Sequence, residues 1–210
     1  MSIQETNLKA IADAIRAKTG ETGTIKASEF ASKIAAIQTG VAKPSWVHST
    51  MPFNTNWSSV CYGNGKFVAM ANGSNIAAYS TNGNDWTQAT LPVVAYCTSV
   101  CYGDGKFLAV TGSGGDGRIL YSTDGSIWNA TSLPANVNWS SVCYGNDKFV
   151  VVANGSNIAA YGIGGISWSQ TTMPASLAWS SVCYGAGKFV AVVRGSTVYA
   201  YLKDYFNEWA

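Results

Sequence analysis

Any acid–base chemistry in residues 44 to 210 would have to start from seven acids, Asp85, Asp104, Asp116, Asp124, Asp147, Asp204 and Glu208. A hydrolytic pair needs two carboxylates held at a fixed separation. These seven fall largely in turn sequences such as Gly-Asp-Gly, or close to residue 210, which favours structural use. His48 is the sole histidine, so a Ser-His-Asp triad or a histidine metal site has no material. Cys61, Cys101, Cys143 and Cys183 recur at one position between Val and Tyr, the pattern of a small buried hydrophobe, and no Cys-x-x-Cys spacing occurs. Asn, Ser, Gly, Trp and Tyr are abundant instead. Amides hydrogen-bond hydroxyl groups and aromatic rings cover sugar faces, so the expectation is binding of a neutral polyhydroxylated ligand, without catalysis, metal or cofactor.

The elements that must position these residues are repeats. The stretch WSSVCYGNGKFVAMANGSNIAAYSTNGNDW, residues 57–86, returns from Cys97 to Trp128, from Trp139 to Trp168 and from Trp179 to Trp209. Cys97 takes the slot that Trp57, Trp139 and Trp179 hold. Marker tryptophans at 46, 86, 128, 168 and 209 give a period of about 41 residues, too few for one unit to bury its own apolar face. Within a unit, WSSVCY alternates, KFVAMA and NIAAYS are compact apolar runs, and W-x-x-x-x-[ML]-P is a fourth segment. Short Gly/Asn/Asp connections between them are hairpin chemistry, because these residues accept positive φ. Four antiparallel strands per repeat and four repeats predict a mainly β, four-bladed β-propeller. The opening SWVHSTMP matches the fourth-strand segments SWSQTTMP and DWTQATLP, and the last repeat stops at Ala210. The N-terminal strand is therefore expected to close the last blade, an open solenoid being the alternative, with an unpaired strand edge.

Ahead of the repeats, residues 1–40 predict a small α-helical hairpin, joined by a linker at 41–45 to the propeller at 46–210. In NLKAIADAIRAK, Leu8, Ile11, Ala12 and Ile15 share a helical face, with Thr6 or Asn7 available as N-cap and Gly20 just past the end. In ASEFASKIAAI, Phe30, Ile34 and Ile37 share a face, and Ser28 and Glu29 suit a first turn. Two such short helices are marginal alone, which suggests attachment or oligomerisation. No run of 18 apolar residues exists and the start MSIQETNLK carries no apolar signal core, so no membrane span and no Sec export are expected. Residues 44–210 balance seven basic against seven acidic groups, which argues against nucleic-acid binding.

The turns Ser80-Thr81-Asn82-Gly83-Asn84-Asp85-Trp86 and Ser122-Thr123-Asp124-Gly125-Ser126-Ile127-Trp128 resemble the Asp-box, or BNR, hairpin of sialidase-like and other propellers. They are one residue shorter than its usual form. That resemblance implies a structural brace, with the aromatic packed between sheets. Repeats three and four have lost the box and keep the Trp. Sialidases clamp a carboxylate with three arginines, whereas the repeats hold two, Arg118 and Arg194. The segment LKAIADAIRAKTGETGTIKASEFASKIAAI resembles a short module of tail proteins from phages and phage-like particles of Gram-positive bacteria. The resemblance implies a phage tail fibre or receptor-binding protein, located in the virion tail and released by lysis. Residues 1–40 would then bind other tail or baseplate proteins, in a homo-oligomer for which a trimer is expected.

In an up-and-down blade, the second-to-third and fourth-to-first connections lie at one end and the Asp-box turns at the other. The first end is expected to bind a host surface glycan. Its candidate residues are Trp57, Asn72, Asn75, Asp116, Arg118, Trp139, Asn154, Asn157, Trp179 and Arg194. The alternatives are a structural tail or baseplate component that binds other tail proteins and, third, a glycosidase.

Overall fold

The computed structural model describes residues 3–20, 22–30, 33, 46–112, 117–203 and 208–209. It divides into two compact units, Met1–Ser49 and Thr50–Ala210.

In the first unit, helix α1 runs Ile3–Thr19. It begins four residues before the expected start at residue 7, because Ile3, Gln4 and Glu5 are acceptable helix formers and nothing before Thr6 or Asn7 breaks the pattern. Neither residue is therefore the N-cap. Gly20 ends the helix at φ 73°, its N–H donating to the Arg16 carbonyl at 2.8 Å. Ala12 and Ile15 are buried with Ile25, and Phe30 packs against them, but Ile11 is exposed. A 3-10 turn, Ala27–Glu29, follows, in which the Glu29 carboxylate accepts the Lys26 N–H at 3.3 Å. Ile34 and Ile37, the rest of the expected second helix, lie outside the described residues.

The second unit is a succession of antiparallel strands: β1 (Trp57–Gly63), β2 (Lys66–Ser80), β3 (Thr87–Gly103), β4 (Lys106–Thr111), β5 (Arg118–Ser122), β6 (Asn129–Ser132), β7 (Trp139–Gly145), β8 (Lys148–Ile163), β9 (Ser167–Gly185), β10 (Lys188–Val193), β11 (Tyr199–Lys203) and β12 (Glu208–Trp209). Pairing joins them into two six-stranded meanders, β1 to β6 and β7 to β12. The long strands serve two repeats or two strand positions. β3 pairs with β2 through Thr87–Tyr96 and with β4 through Cys97–Gly103, so it ends one repeat and opens the next. β9 does the same between β8 and β10.

Inter-repeat packing follows the period. β1 packs on β3, β3 on β7 and β7 on β9. Three apolar clusters fill the gaps: Val68 and Met70 of repeat one against Val100, Phe107 and Ala109; Leu108 and Val110 against Val142, Phe149 and Val151; Val150 and Val152 against Val182, Phe189 and Ala191. Each repeat thus has a leading face, turned to the repeat before, and a trailing face, turned to the repeat after.

The repeated Ser-Ser of WSSV supplies the polar half of this contact. The first hydroxyl reaches the next repeat's backbone: Ser58 to the Cys97 carbonyl (2.7 Å), Thr98 to Trp139 (2.9 Å), Ser140 to Trp179 (2.7 Å). The second accepts a backbone N–H: Ser59 from Val100 (3.0 Å), Ser99 from Val142 (3.2 Å), Ser141 from Val182 (3.1 Å). The Tyr that follows lies over the preceding repeat's glycine. A Cβ on Gly63, Gly103 or Gly145 would fall inside the ring of Tyr102, Tyr144 or Tyr184.

The expected closure is corrected. Residues 46–56 form no strand, and β11 is paired by the chain's own β12, Leu202 with Trp209 and Lys203 with Glu208. The last sheet is completed locally, and β1 and β9 form no packed pair like those within the series. The stack of four sheet units is propeller-like and open between its first and last members.

Candidate functional site

The two ends of the strands use their polar side chains differently. At one end lie the β1–β2-type turns and the Asp-box turns. Asn64 and Gly65 take φ 48° and 71°, both positive as a two-residue hairpin requires. Ser80 Oγ accepts the Gly83 N–H at 2.9 Å, and Asn82 Oδ1 accepts the N–H groups of Asn84 and Asp85, both at 2.9 Å. In the second box, Asp124 Oδ1 accepts Ser126 N–H (2.8 Å) and Ile127 N–H (2.9 Å), while Ser126 Oγ donates to Oδ2 at 2.7 Å. Those bonds, the Ile127 N–H first, hold the Asp124 carboxyl well below the ordinary carboxylate range, against a smaller opposing effect of burial. Trp86 and Trp128 donate Nε1–H to the Gly83 and Gly125 carbonyls. Lys66 Nζ reaches the Asp124 carbonyl at 2.8 Å, tying repeat one to the box of repeat two. The box side chains are engaged in folding, as the resemblance implied. Trp168, in a repeat without a box, keeps a buried Nε1 with no partner among the described residues.

The opposite end gathers the second-to-third and fourth-to-first connections, as expected from strand order. Backbone bonds join them: Asn72 N–H to Asn56 (2.8 Å), Gly112 to Tyr96 (2.9 Å), Asn154 to Asn138 (2.8 Å), Arg194 to Ala178 (3.0 Å). Gly73 and Gly155 adopt positive φ there, and Ser74 and Ser156 accept the N–H two residues on, from Ile76 and Ile158.

The ten candidate residues separate into six groups. Trp139 and Trp179 are fully buried, with Nε1–H donated to the Ala135 and Ala175 carbonyls. They are core residues of the inter-repeat clusters and present no surface to a ligand. An aromatic that opens a strand at a repeat boundary is covered by the preceding repeat. Asn72 is a brace, its amide donating to the Cys97 carbonyl at 3.1 Å. Asn75, Asn154, Asn157 and Arg194 are exposed, their side chains making no hydrogen bond to described residues. Arg118 is half-buried beside Ala130, Thr131 and Ser132. Asp116 lies outside the described residues. Trp57, with no repeat before it, is half-exposed. It lines a shallow concavity of about 370 Å³ with Met51, Val60, Ala69 and Trp86.

Phe53 and Tyr96 are exposed aromatics at the same end, in the Pro-led segments 52–56 and 92–96 that strand order assigns to it, though neither is among the ten candidates. Tyr96 lies 3.4 Å from where a Cβ on Gly73 would stand, so ring and loop adjoin. The signal was available: both belong to the segments that precede WSSV, whose backbone carbonyls receive the loops. Among the described residues no group of three His, Cys, Asp or Glu could hold a metal ion. All five cysteines are free. Burial pushes the Cys61 and Cys143 thiols up to about 12, and Cys101 up as well, so none of these three forms a thiolate readily.

No protein-family model and no curated protein matches the chain. Solved structures do. A catalytically inactive virginiamycin B lyase from Staphylococcus aureus, with quinupristin, is similar at 10% identity and a TM-score of 0.68, over 78% of this chain and 57% of that one. YCF48 bound to D1 peptide is 17% identical, TM-score 0.54, over 73% and 51%. The computationally designed Ika4 protein is 7% identical, TM-score 0.58, over 75% and 98%. The chain spans little more than half the length of the first two. At these identities the likeness is one of fold: the chain shares a mainly β, propeller-type architecture with β-propeller proteins.

Proposed function

We propose that the protein is a non-enzymatic receptor-binding component of a phage-type tail that takes a host surface glycan at its loop end. The observation that carries this reading is the contrast between the two ends. At the Asp-box end the Asn82 amide and Asp124 carboxylate close their own turns, whereas at the loop end Asn75, Asn154, Asn157 and Arg194 are exposed, and Tyr96 and Phe53 are exposed at that end as well. Exposed amides and exposed rings at one end supply hydroxyl hydrogen bonds and an apolar platform together. The tail assignment rests on the N-terminal resemblance, and residues 1–40 are the proposed attachment to other tail proteins.

The test is adsorption of the purified chain to Gram-positive cell walls and isolated wall polysaccharides, with Tyr96→Ala and Asn157→Ala as variants. Binding to a polysaccharide that falls about tenfold with either variant, about 1.4 kcal/mol, is the expected result. No binding to any wall or polysaccharide would overturn it in favour of a structural tail component. Shortening of the polysaccharide chain by the protein would instead revive the glycosidase.

A further inference from the structure

The contact between successive repeats is made three times, and its two halves are left over at the ends of the series. On the leading face of repeat one, Val60 is 59% exposed, where its counterparts Val100, Val142 and Val182 are 6%, 4% and 5% exposed. Tyr62, counterpart of the three tyrosines that cover glycines, is exposed as well. The concavity lined by Trp57, Val60, Ala69 and Trp86 is the place where the other repeats receive the trailing residues of a neighbour. On the trailing face of repeat four, Val192 is 44% exposed against fully buried Met70, Val110 and Val152, and Tyr199 is 61% exposed against fully buried Ala77, Ile119 and Ala159. Ser181 is exposed, and a Cβ on Gly185 would meet nothing within 4 Å. Every component of the repeated contact is therefore present on these two surfaces, donor half on one and acceptor half on the other.

We propose that two copies of the chain close head to tail into a single eight-bladed ring, repeat four of each copy seated on repeat one of the other. A ring built from copies of this four-repeat unit contains four, eight or twelve blades. Four is not formed, since β1 and β9 do not pack together, and propellers hold about four to eight blades. Eight requires two copies. The two junctions are identical, related by a two-fold axis along the ring axis, and the ring leaves no open face. At each junction, Ser180 donates to the partner's Trp57 carbonyl, Ser181 accepts from the partner's Val60 N–H, and the partner's Tyr62 lies over Gly185, repeating the contacts seen inside the chain.

Gly185 makes the test sharp, because a side chain there is open space within one chain and a collision at the junction. Sedimentation of the full chain at micromolar concentration is expected to give a dimer. Gly185→Val, its β-branched residue suited to a strand, is expected to give a folded monomer whose Cys183 thiol reacts with a maleimide at least tenfold faster than in the dimer. Val60→Lys, on the opposite surface, is expected to give a monomer too. An equimolar mixture of the two variants restores one intact junction and is expected to dimerise where each alone does not. A wild-type monomer, a trimer, a dimer unaffected by both substitutions, or a mixture that stays monomeric would each overturn the proposal.

Discussion

Asp124 and Asn82 occupy the same position in the two Asp-box turns, and both accept two backbone N–H groups through Oδ1. Asn82 shows that a neutral amide oxygen suffices. The charge on Asp124 has a different consequence, because its folded-state pKa lies below the unfolded value of about 3.9. A depressed carboxylate contributes stability that is full above about pH 4 and lost as pH falls further. Asp124→Asn should therefore unfold below the wild-type temperature at pH 7, and the gap should close between pH 4 and pH 2 as the wild type loses this contribution and the variant does not, by scanning fluorimetry. Ala186 is the residue-scale exception among the turns. It stands at φ 49° where the other hairpins use Asn64, Asp104 or Asn146, in a region that disfavours a residue with a plain Cβ. Ala186→Asn is expected to stabilise the chain by about 0.5–1 kcal/mol in urea unfolding. Turn chemistry of this kind was legible in the sequence, since positive φ and Asn-Gly or Asp-Gly pairs go together. The fate of Trp139 and Trp179 was not, since a Trp at a strand start reads the same whether a neighbouring sheet covers it or solvent does.

At the scale of the element, the near-invariance of WSSVCYG across the four repeats has a physical account. Its letters face the neighbouring repeats: the two hydroxyls bridge to the next repeat's backbone and the glycine makes room for the next repeat's Tyr ring, while the Val and Tyr turn to the repeat before. Ser141→Ala leaves the Val182 N–H without its acceptor and should cost about 1–2 kcal/mol in urea unfolding. Ser181→Ala, at an exposed residue with no described repeat packed on it, should stay within about 0.5 kcal/mol when measured on monomer. Gly103→Ala places a Cβ inside the Tyr144 ring and should cost about 3 kcal/mol or prevent folding. Strand positions, turn types and the end on which loops gather were all legible, because alternation, Gly/Asn pairs and strand parity are local properties. The start of α1 was misplaced because a polar residue ahead of an apolar stripe marks a boundary only when the residues before it resist the helix.

For the whole molecule, the sequence carried the count of repeats and the sheet class but not the closure. SWVHSTMP has the pattern of a fourth strand, and pattern says that a segment can pair without saying that its partner is within reach. Whether four units meet depends on the angle between adjacent sheets, which arises from packing of entire faces and has no signature in any one segment. Here the chain completes its last sheet with Glu208–Trp209 and leaves repeat one open. A nearest-neighbour stack also predicts uneven protection. Amides of β4, β7 and β8, flanked on both sides, should exchange with deuterium more slowly than those of β1 and β11, by mass spectrometry on monomeric protein.

The hydroxyl bridges between repeats span 39 to 43 residues and no more. For a chain made almost wholly of strands, that is a short reach. It means that no repeat has to wait for the far end of the polypeptide before it can settle. As the chain leaves the ribosome, repeat two can dock on repeat one as soon as it is complete, and each later repeat adds to a surface already in place. Synthesis itself thus sets the order of assembly, from the first repeat to the last.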